Sequence, residues 1–358
     1  MDWAKEKVGH LNFTIYFVQS NKSLYLVAAF LPHYRAPIYS LLNSKYSCTW
    51  VTCRNYKYAK SIKKIESTSG WNILEYLTLN FWKIGYNIGW YRYVFVENLI
   101  LIPLPNNVSD WLLILARKLM NRRTTIWTQG PNYSDGYIKI IYKTLFVALA
   151  DNIFTYNNYS KDIYSSYLKS KGIQVIYNSL SGKVAQKQKG KDLLYSGRLL
   201  ADRNLEFIID YLAKYPERSL HIVGDGDYRS LLEMKAKNTQ ANILFYGEVY
   251  DLPVDIYKKC GYGIVPGHSG LNILMYIENG LVPITHNNSS LHMPEFEILE
   301  SVSTYVIYEY NSVNSLNRTL TCLDSDKQLC EGVFESLKFE IESKWNPRNQ
   351  LKIVEKYT

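Results

Sequence analysis

Apolar and polar positions alternate along this chain in a way that predicts strands and helices in turn. Residues 24–31 (LYLVAAFL) form an almost wholly apolar run, typical of a strand buried on both faces, and residues 38–45 have helical spacing. The alternation continues to about residue 180 and resumes from 193 to about 307. Because strand–helix–strand units build parallel sheets, we expect an α/β protein with two Rossmann-like domains whose sheets face each other across a cleft.

In the first domain, we predict strands and helices in regular succession. The predicted strands are 24–31, 48–53, 93–105, 124–130, 152–157 and 174–180. The predicted helices are 38–45, 108–123, 137–150 and 160–172. Residues 1–22 are polar and mixed, and they predict either an extra strand or a loosely held leader.

A polar segment divides the chain into two parts. Residues 181–191 (SGKVAQKQKGK) contain many lysines and no large apolar residues, which is typical of a linker. We therefore predict an N-terminal domain over 1–180, a linker over 181–192 and a C-terminal domain over 193–340. Residues 341–358 predict a helix that returns to the N-terminal domain, with a break around Trp345-Asn346-Pro347.

The composition is that of an ordinary folded protein, with 47% hydrophobic and 20% charged residues. No apolar run reaches the roughly 18 residues of a membrane-spanning helix, and the N-terminus lacks a signal-peptide pattern. The five cysteines lack metal-type spacing and are expected to be free thiols. We expect a cytoplasmic protein, either soluble or peripheral on the inner face of the cell membrane.

The positive charge is concentrated in the first half of the chain. Residues 1–180 hold 21 Lys and Arg against 9 Asp and Glu, whereas residues 181–358 hold 20 against 23. A basic half indicates an anionic partner, and the sequence has no nucleic-acid-binding motif. An anionic membrane or an anionic lipid-linked substrate fits better. Helix 108–123 is more simply explained by packing on the sheet. Four tryptophans among these cations nevertheless suit such a surface: Trp82, Trp90, Trp111 and Trp127.

Two predicted strand ends in the second domain carry groups that suit a diphosphate. Arg198 and Arg203 follow the first strand, and the loop 266–271 (PGHSGL) leads into a helix. Arginine presents fixed donors to phosphate, and backbone N–H groups at a helix start bind anions. The sequence therefore predicts a site for an activated phosphate ester, with a nucleotide-sugar as the favoured ligand.

Other polar positions have two interpretations each. His268 in the glycine loop either donates a hydrogen bond to phosphate or stabilises the loop. His33, Tyr34 and Arg35 follow the first strand and either contact acceptor or donor in the cleft or form a structural loop. Asp225-Gly226-Asp227 resembles a metal-binding Asp-x-Asp, but its place after a strand favours a glycine turn. We predict no metal and no other cofactor.

The ordered set of motifs resembles the retaining GT-B glycosyltransferases of family 4. The resembling segments run from about Leu24 to the C-terminal region, and none is specific alone. In the second half they are SGRL with Arg203 five places after Arg198, HIVGDGD, FYGEVYDLPVDIYKKCGYGIVPG, GLNILMYIENGLVPI and MPEFEIL. In the first half they are LPHYRAPIYSLL, IWTQGPN and ADNIFTYNNYSKDIYSSYLKSKGIQVIYNSL.

The resemblance implies a function and a set of roles. Such enzymes transfer a sugar from a nucleotide donor with retention and without a metal, so the donor here would be a UDP- or GDP-sugar. The acceptor would be an oligosaccharide or an undecaprenyl-diphosphate-linked saccharide of a bacterial capsule, O-antigen or exopolysaccharide. The implied donor-diphosphate residues are Arg198, Arg203, Gly267, Ser269, Gly270 and Leu271. The implied nucleobase residues are Tyr246, Glu248 and Val249, and the implied catalytic residues are Gln129, His268 and Glu278.

Three positions depart from the family pattern. Gly267 and Met275 occupy places where the family usually has glutamates, and Gln129 replaces a histidine. Glutamine can hydrogen-bond but cannot act as a base. Glu278 lies one turn after Met275 and is the candidate substitute. Thr285, His286, Glu295 and Glu297 are interpreted as variations of a polysaccharide branch.

These departures leave competing functions open. One alternative is a catalytically inactive GT-B protein that serves as a binding or scaffolding subunit. A nucleotide-sugar epimerase on the same fold is the weaker third possibility, because such an enzyme needs several carboxylates and histidines in the cleft.

Overall fold

The structure is a computed structural model that describes residues 22–55, 65, 71–81, 84–104, 106–249 and 253–358. The expectation for the N-terminal residues and the side chain of Trp82 lie outside these ranges. The described residues form two parallel sheets flanked by helices, which confirms the α/β class and the two Rossmann-like domains.

The first sheet contains seven strands over the described residues, all parallel, in the order β3-β2-β1-β6-β7-β8-β9. Its strands are β1 (Ser23–Ala28), β2 (Ser47–Cys53), β3 (Asn72–Tyr76), β6 (Leu99–Ile102), β7 (Thr125–Trp127), β8 (Asn152–Thr155) and β9 (Gly172–Val175). A separate antiparallel hairpin is made by β4 (Thr78–Phe81) and β5 (Ile84–Asn87).

The second sheet contains six parallel strands over the described residues, in the order β12-β11-β10-β13-β14-β15. They are β10 (Asp192–Ser196), β11 (Leu220–Val223), β12 (Ile243–Gly247), β13 (Cys260–Val265), β14 (Val282–His286) and β15 (Ile307–Tyr308). In each sheet the strand order reverses beside the first strand, between β1 and β6 and between β10 and β13. Such switch points are where open α/β sheets bind ligands.

The helices fill the connections between the strands and follow the second sheet to the C-terminus. In the first domain they are α1 (Ala36–Lys45), α2 (Val108–Leu119), α3 (Tyr137–Ala148) and α4 (Asn158–Tyr167). After β10 they are α5 (Leu205–Lys214), α6 (Arg229–Lys237), α7 (Val254–Lys259), α8 (Asn272–Glu278), α9 (Ser303–Val306), α10 (Val313–Ser325), α11 (Lys327–Ser343) and α12 (Pro347–Glu355). Short 3₁₀ turns include His33–Arg35, Trp90–Tyr93, Ala201–Arg203, Ser289–Leu291 and Pro294–Val302.

The predicted strand over 93–105 is wrong in its first half. Only β6 is extended, because the buried guanidinium of Arg117 donates to the backbone carbonyls of Tyr93, Val94 and Val96 at 2.8–2.9 Å. Those carbonyls are therefore unavailable to a sheet. The pattern also missed β3 and the hairpin, which are short and expose much of their surface.

The segment between the sheets has no regular structure, but it is held on the second domain. The backbone N–H of Ala185 donates to the carbonyl of Glu278 at 2.8 Å, and that of Gln188 donates to Gly280 at 2.8 Å. After α11 the chain breaks at residues 344–346, as predicted. Helix α12 then packs against α1, and Val354 is buried in the core of the first sheet.

Two further expectations concern cysteines and membrane spans. All five cysteines are free thiols, as predicted. Within the described part of the chain, no helix combines the length and the apolar character needed to cross a bilayer.

Candidate functional site

The switch point of the second sheet brings the predicted phosphate-binding residues together. Strands β10 and β13 are parallel neighbours, so the segments that follow them meet at one edge of the sheet. Arg198 follows β10, and the loop 266–271 follows β13. The Arg198 side chain is exposed and forms no ion pair with any described residue. It is a cation available to a ligand at this edge.

Arg203 holds the two segments together. Its Nη1 donates to the backbone carbonyl of His268 at 3.0 Å, and its Nε lies 3.4 Å from Oδ1 of Asp202. About a fifth of its side chain remains exposed. The guanidinium therefore both positions the glycine loop and leaves part of its donor surface at the edge where Arg198 lies.

Gly267 is required by the close approach of these two segments. A Cβ at this position would lie 2.3 Å from the carbonyl oxygen of Asp202 and 2.7–2.8 Å from the backbone of Arg203. Backbone atoms cannot move aside as a flexible side chain can. The absence of a glutamate at 267 is thus a consequence of packing, because this position has no room for a side chain.

The glycine loop uses some of the N–H groups that the sequence predicted to be free. The N–H of Ser269 donates to the carbonyl of Leu291 at 3.3 Å, and the N–H of Gly270 donates to Oδ1 of Asn272 at 2.9 Å. The expectation that these two amides bind phosphate is therefore wrong for this conformation. The Leu271 N–H has no such partner among the described residues.

Two buried histidines support the loop from below, and the sequence analysis did not identify His292. His286 Nε2 lies 3.0 Å from the carbonyl oxygen of Gly267. His292 Nδ1 lies 2.9 Å from Oγ of Ser269, and its Nε2 lies 2.8 Å from the carbonyl oxygen of His286. The histidine rings stack at 4.5 Å, and His292 also stacks on Phe296 at 4.1 Å. In the sequence, the feature that could have pointed to His292 is its spacing of six residues from His286, at the end of a strand.

Both histidines are neutral at physiological pH. Burial lowers the pKa of His286 and of His292 to about 4. Each Nε2 faces a carbonyl and so carries the proton, which leaves Nδ1 as an acceptor. Nδ1 of His286 accepts from the N–H of Asn288 at 3.2 Å, and Nδ1 of His292 accepts the Ser269 hydroxyl. The pair acts as a hydrogen-bonded support for the loop.

His268 lies on the rim of this edge. Its side chain is about one third exposed, and Nε2 lies 3.8 Å from Oδ2 of Asp202. The imidazole is therefore accessible to a ligand beside the glycine loop, whereas its backbone carbonyl is held by Arg203. The exposed imidazole agrees with the interpretation of His268 as a ligand contact. The backbone carbonyl bound by Arg203 agrees with its interpretation as a support of the loop.

Glu278 does not lie at the predicted catalytic position. Its carboxylate accepts hydrogen bonds from the Ser181 hydroxyl at 2.6 Å and from the Gly182 N–H at 2.7 Å. Burial raises the pKa of this carboxyl group. Helix α8 runs away from the glycine loop, so its last residue is about 9 Å along the axis from its first. Glu278 fixes the linker, and this placement argues against a catalytic role.

The predicted nucleobase segment ends β12. The Tyr246 hydroxyl lies 2.8 Å from Nδ1 of His221, whose Nε2 lies 3.2 Å from Oδ2 of Asp192. The side chain of Tyr246 is thus committed to a buried polar chain, and only its backbone is left for a base. Glu248 and Val249 are exposed at the end of the strand.

Gln129 lies where the two domains meet. It follows β7, and its Nε2 lies 3.7 Å from Sδ of Met293, which follows β14 of the second sheet. Its backbone carbonyl accepts from the Ser160 hydroxyl at 3.2 Å. The amide is half-buried and close to the histidine-supported loop, so it can hydrogen-bond a ligand in the cleft but cannot transfer a proton as histidine would.

The first switch point carries a buried cation. Arg35 is only 7% exposed, and its guanidinium carbon lies 5.6 Å from the ring centroid of Trp127 and 5.1 Å from that of Tyr156. Of the two interpretations of Arg35, the structural one is favoured, since its guanidinium is buried against aromatic rings. His33 is exposed and Tyr34 half-exposed, so these two remain accessible beside the cleft.

Two glutamates of the 3₁₀ turn 294–302 join the domains. Glu297 Oε2 accepts from the backbone N–H of Asn158 at 2.7 Å, at the start of α4, and Oε1 accepts from its side-chain amide at 2.6 Å. Oε1 of Glu295 accepts from Nδ2 of Asn178 at 2.7 Å. Burial raises the pKa of both carboxyl groups. They fasten the loop below the glycine segment to the first domain.

Asp225 is part of a turn, as the sequence predicted. Its Oδ1 accepts from the N–H of Gly226 at 2.8 Å, and its Oδ2 lies 3.4 Å from Nη1 of Arg229. Across the described residues, no group of three or more His, Cys, Asp or Glu side chains is arranged to hold a metal ion.

Comparison with known proteins agrees with this architecture. Residues 178–333 match the family model for "Glycosyl transferases group 1". This match covers the second sheet and both segments at its switch point. No curated protein sequence matches the chain significantly.

Solved structures with the same fold have low sequence identity to this chain. Anabaena HepE in complex with UDP superposes with a TM-score of 0.69 at 11% identity, over 94% of this chain and 99% of that one. A glycosyltransferase from Rickettsia africae gives 0.67 at 13%, over 94% and 98%. The lipopolysaccharide outer core galactosyltransferase WaaB gives 0.66 at 15%, over 94% and 100%. The chain therefore has the GT-B fold of these structures, and the family match covers the second of its two sheets.

Proposed function

We propose that this protein is a retaining glycosyltransferase that moves a sugar from a UDP- or GDP-sugar to a saccharide acceptor. The observation that carries the proposal is the switch point between β10 and β13. An exposed Arg198, a partly exposed Arg203 and a glycine loop meet there. Two such cations can stabilise the negative charge of a leaving diphosphate without a metal. Anabaena HepE was crystallised with UDP-glucose on the same fold, which supports a nucleotide-sugar donor.

None of the three described positions at which the family resemblance implies a catalytic or donor-binding group supplies a nucleophile to the site, which favours front-face transfer with retention. Gly267 has no side chain, Glu278 is bound to the linker, and Gln129 is an amide. In front-face transfer, the bond between the anomeric carbon and the phosphate oxygen breaks as the acceptor oxygen bonds to that carbon. The acceptor proton passes to the departing phosphate oxygen. His268 would hydrogen-bond the phosphate, and Gln129 would position a sugar hydroxyl.

The acceptor side of the proposal rests on the first domain. His33 and Tyr34 lie beside the cleft, and the first half of the chain is strongly basic. We place an oligosaccharide or undecaprenyl-diphosphate-linked saccharide there, as in the synthesis of a bacterial capsule, O-antigen or exopolysaccharide. The protein would act in the cytoplasm, on the inner face of the cell membrane.

A panel of nucleotide-sugars tests the proposal. The protein is incubated with UDP- and GDP-sugars, and thermal shift and nucleotide release are measured together. We expect one nucleotide class to raise the melting temperature and to be hydrolysed slowly without acceptor and faster with a saccharide acceptor. Because ligand at 100 times Kd stabilises by about 2.7 kcal/mol, a shift of several degrees is expected.

The same panel separates the alternative. A thermal shift without any nucleotide release, across saccharide and lipid-linked acceptors, would favour an inactive GT-B binding subunit, which Gly267, Met275 and Gln129 also suit. No shift with any UDP or GDP compound would contradict donor binding itself.

A further inference from the structure

Apolar side chains are exposed mainly on the first domain. Of the large apolar side chains that the described residues expose, 17 lie before residue 180 and 6 after it. Several belong to two neighbouring helices, α2 and α3. The two helices are held side by side, since Trp111 Nε1 donates to the Tyr142 hydroxyl at 3.2 Å and Trp111 packs on Phe146 at 4.8 Å.

Both helices are apolar on two sides. Their inner sides pack on the first sheet through buried residues such as Ile114 and Val147. Their outer sides expose a second apolar stripe at helical spacing, which we call the α2–α3 face. It consists of Val108, Leu115 and Leu119 of α2, of Met120 directly after it, and of Tyr137, Ile138, Tyr142 and Leu145 of α3. Leu119 is 75% exposed and Ile138 is 85% exposed, so these side chains project freely into solvent.

The α2–α3 face is bordered by cations. Arg122 and Arg123 lie three and four residues after the end of α2, are exposed and form no ion pair with any described residue. Lys118 and Lys139 are also exposed, although each contacts an aspartate. An apolar stripe with free arginines at its edge has the chemistry of a surface that enters the headgroup region of an anionic bilayer.

A second copy of the chain fits this face less well. In a two-fold symmetric interface the same patch occurs on both partners, so Arg122 and Arg123 would border the contact from both sides. Like charges juxtaposed in this way oppose association. An anionic surface removes that repulsion and adds attraction.

We infer that the α2–α3 face docks the protein on an anionic lipid bilayer. Both helices begin at the cleft edge of the first sheet and run toward its opposite edge, so Val108 and Tyr137 lie at the cleft end and Leu119 at the far end. A bilayer against this face therefore passes beside the cleft. The inference deepens the proposed function and rests on it only for the membrane-linked acceptor.

Of the predicted lipid-facing tryptophans, Trp127 is fully buried. Trp90 and Trp111 are half-buried. The structure therefore assigns membrane contact to the aliphatic and tyrosine side chains of the α2–α3 face instead.

Vesicle flotation tests the inference with the full-length protein. Vesicles of phosphatidylcholine with and without 30% phosphatidylglycerol, on the order of a physiological anionic content, are compared at low and high salt. The test variant combines Leu119→Ser, Ile138→Ser and Leu145→Ser. The matched control combines Met234→Ser and Phe339→Ser, which alter side chains of similar exposure (61% and 65%) on the second domain.

The wild type and the control should bind anionic vesicles at low salt, and the test variant should bind at least tenfold more weakly. Arg122→Gln with Arg123→Gln should weaken binding about tenfold or more and reduce its salt dependence. Equal binding by the test variant, or no binding by the wild type, would overturn the inference. If the wild type were a dimer and the test variant a monomer, the face would be assigned to a second copy of the chain instead. Thermal shift with UDP and GDP on the same variants reports donor binding separately.

Discussion

The two sheets of this protein have corresponding switch points, but an arginine is exposed at one and buried at the other. Between β10 and β13, Arg198 is exposed and unpaired among the described residues, and the glycine loop is supported from below. At the corresponding place after β1, Arg35 is buried under Trp127 and Tyr156. The same topology thus offers a charge to a ligand in one domain and uses a charge for packing in the other. Topology marks where a site can be, and burial decides whether it is one.

A substitution at Gly267 should disturb the switch point of the second sheet most. Gly267→Ala introduces a Cβ against the backbone of Asp202 and Arg203, so the two segments must separate. We expect a loss of about 1–3 kcal/mol in the free energy of unfolding, measured by urea denaturation, and loss of detectable UDP or GDP binding. Gly332→Ala is the matched control, because nothing lies within 4 Å of its Cβ position in α11. It should stabilise the protein slightly. Retained donor binding in Gly267→Ala would disprove the tight loop contact as a requirement.

Arg198→Ala tests the exposed cation without touching the core. A charge-assisted hydrogen bond to the diphosphate is lost, so nucleotide affinity should fall roughly 10- to 100-fold while stability is unchanged. Isothermal titration calorimetry measures the affinity. Arg318→Ala, at another exposed arginine on α10, should leave it unaltered. An Arg198→Ala protein with wild-type affinity would remove this residue from the site.

The buried histidines predict a pH dependence of stability. Their pKa in the folded protein is about 4, below the usual 6.5, so the unfolded chain binds more protons between these values. The free energy of unfolding therefore falls as pH drops from about 6.5 toward 4. Replacing His292 by glutamine should remove roughly 1–3 kcal/mol of that fall.

Urea denaturation of the wild type and His292→Gln at pH 7.0, 5.5 and 4.5 measures the difference. The buried glutamates Glu295 and Glu297 titrate in the opposite sense, but they are common to both proteins and cancel. Parallel pH profiles would show that His292 does not titrate as its burial requires.

Glu278 should give the smallest effect. Glu278→Gln keeps the shape of the side chain but weakens its hydrogen bonds to Ser181 and Gly182, which should cost about 1 kcal/mol of stability. Nucleotide release per folded molecule should be unchanged. A fall of 100-fold in release with an intact fold would restore the catalytic role that the sequence suggested.

The sequence predicted most of the fold because each buried strand is a short apolar run. Both sheets and the break before Pro347 follow from such patterns and from turn residues. The strand at 93–98 failed because the Arg117 side chain, distant in sequence, takes its carbonyls. A local pattern carries no information about that partner.

The candidate site was predictable in part. Arg198, Arg203 and the glycine loop were found because strand ends meet at one edge of a parallel sheet. The positions of Arg35 and Glu278 were not, since a charged residue in a loop or on a helix looks the same whether it faces solvent, an aromatic ring or a linker. His292 was missed because its role depends on a hydroxyl 23 residues earlier in the chain.

Hydrogen exchange of the wild-type protein with and without UDP or GDP tests the central claim most directly. The account predicts that the nucleotide slows exchange in peptides covering 197–204 and 266–272, with the first domain's residues 33–35 unchanged in the absence of acceptor. Nucleotide bound by calorimetry but protecting only the first domain, or leaving both of these peptides unprotected, would contradict it.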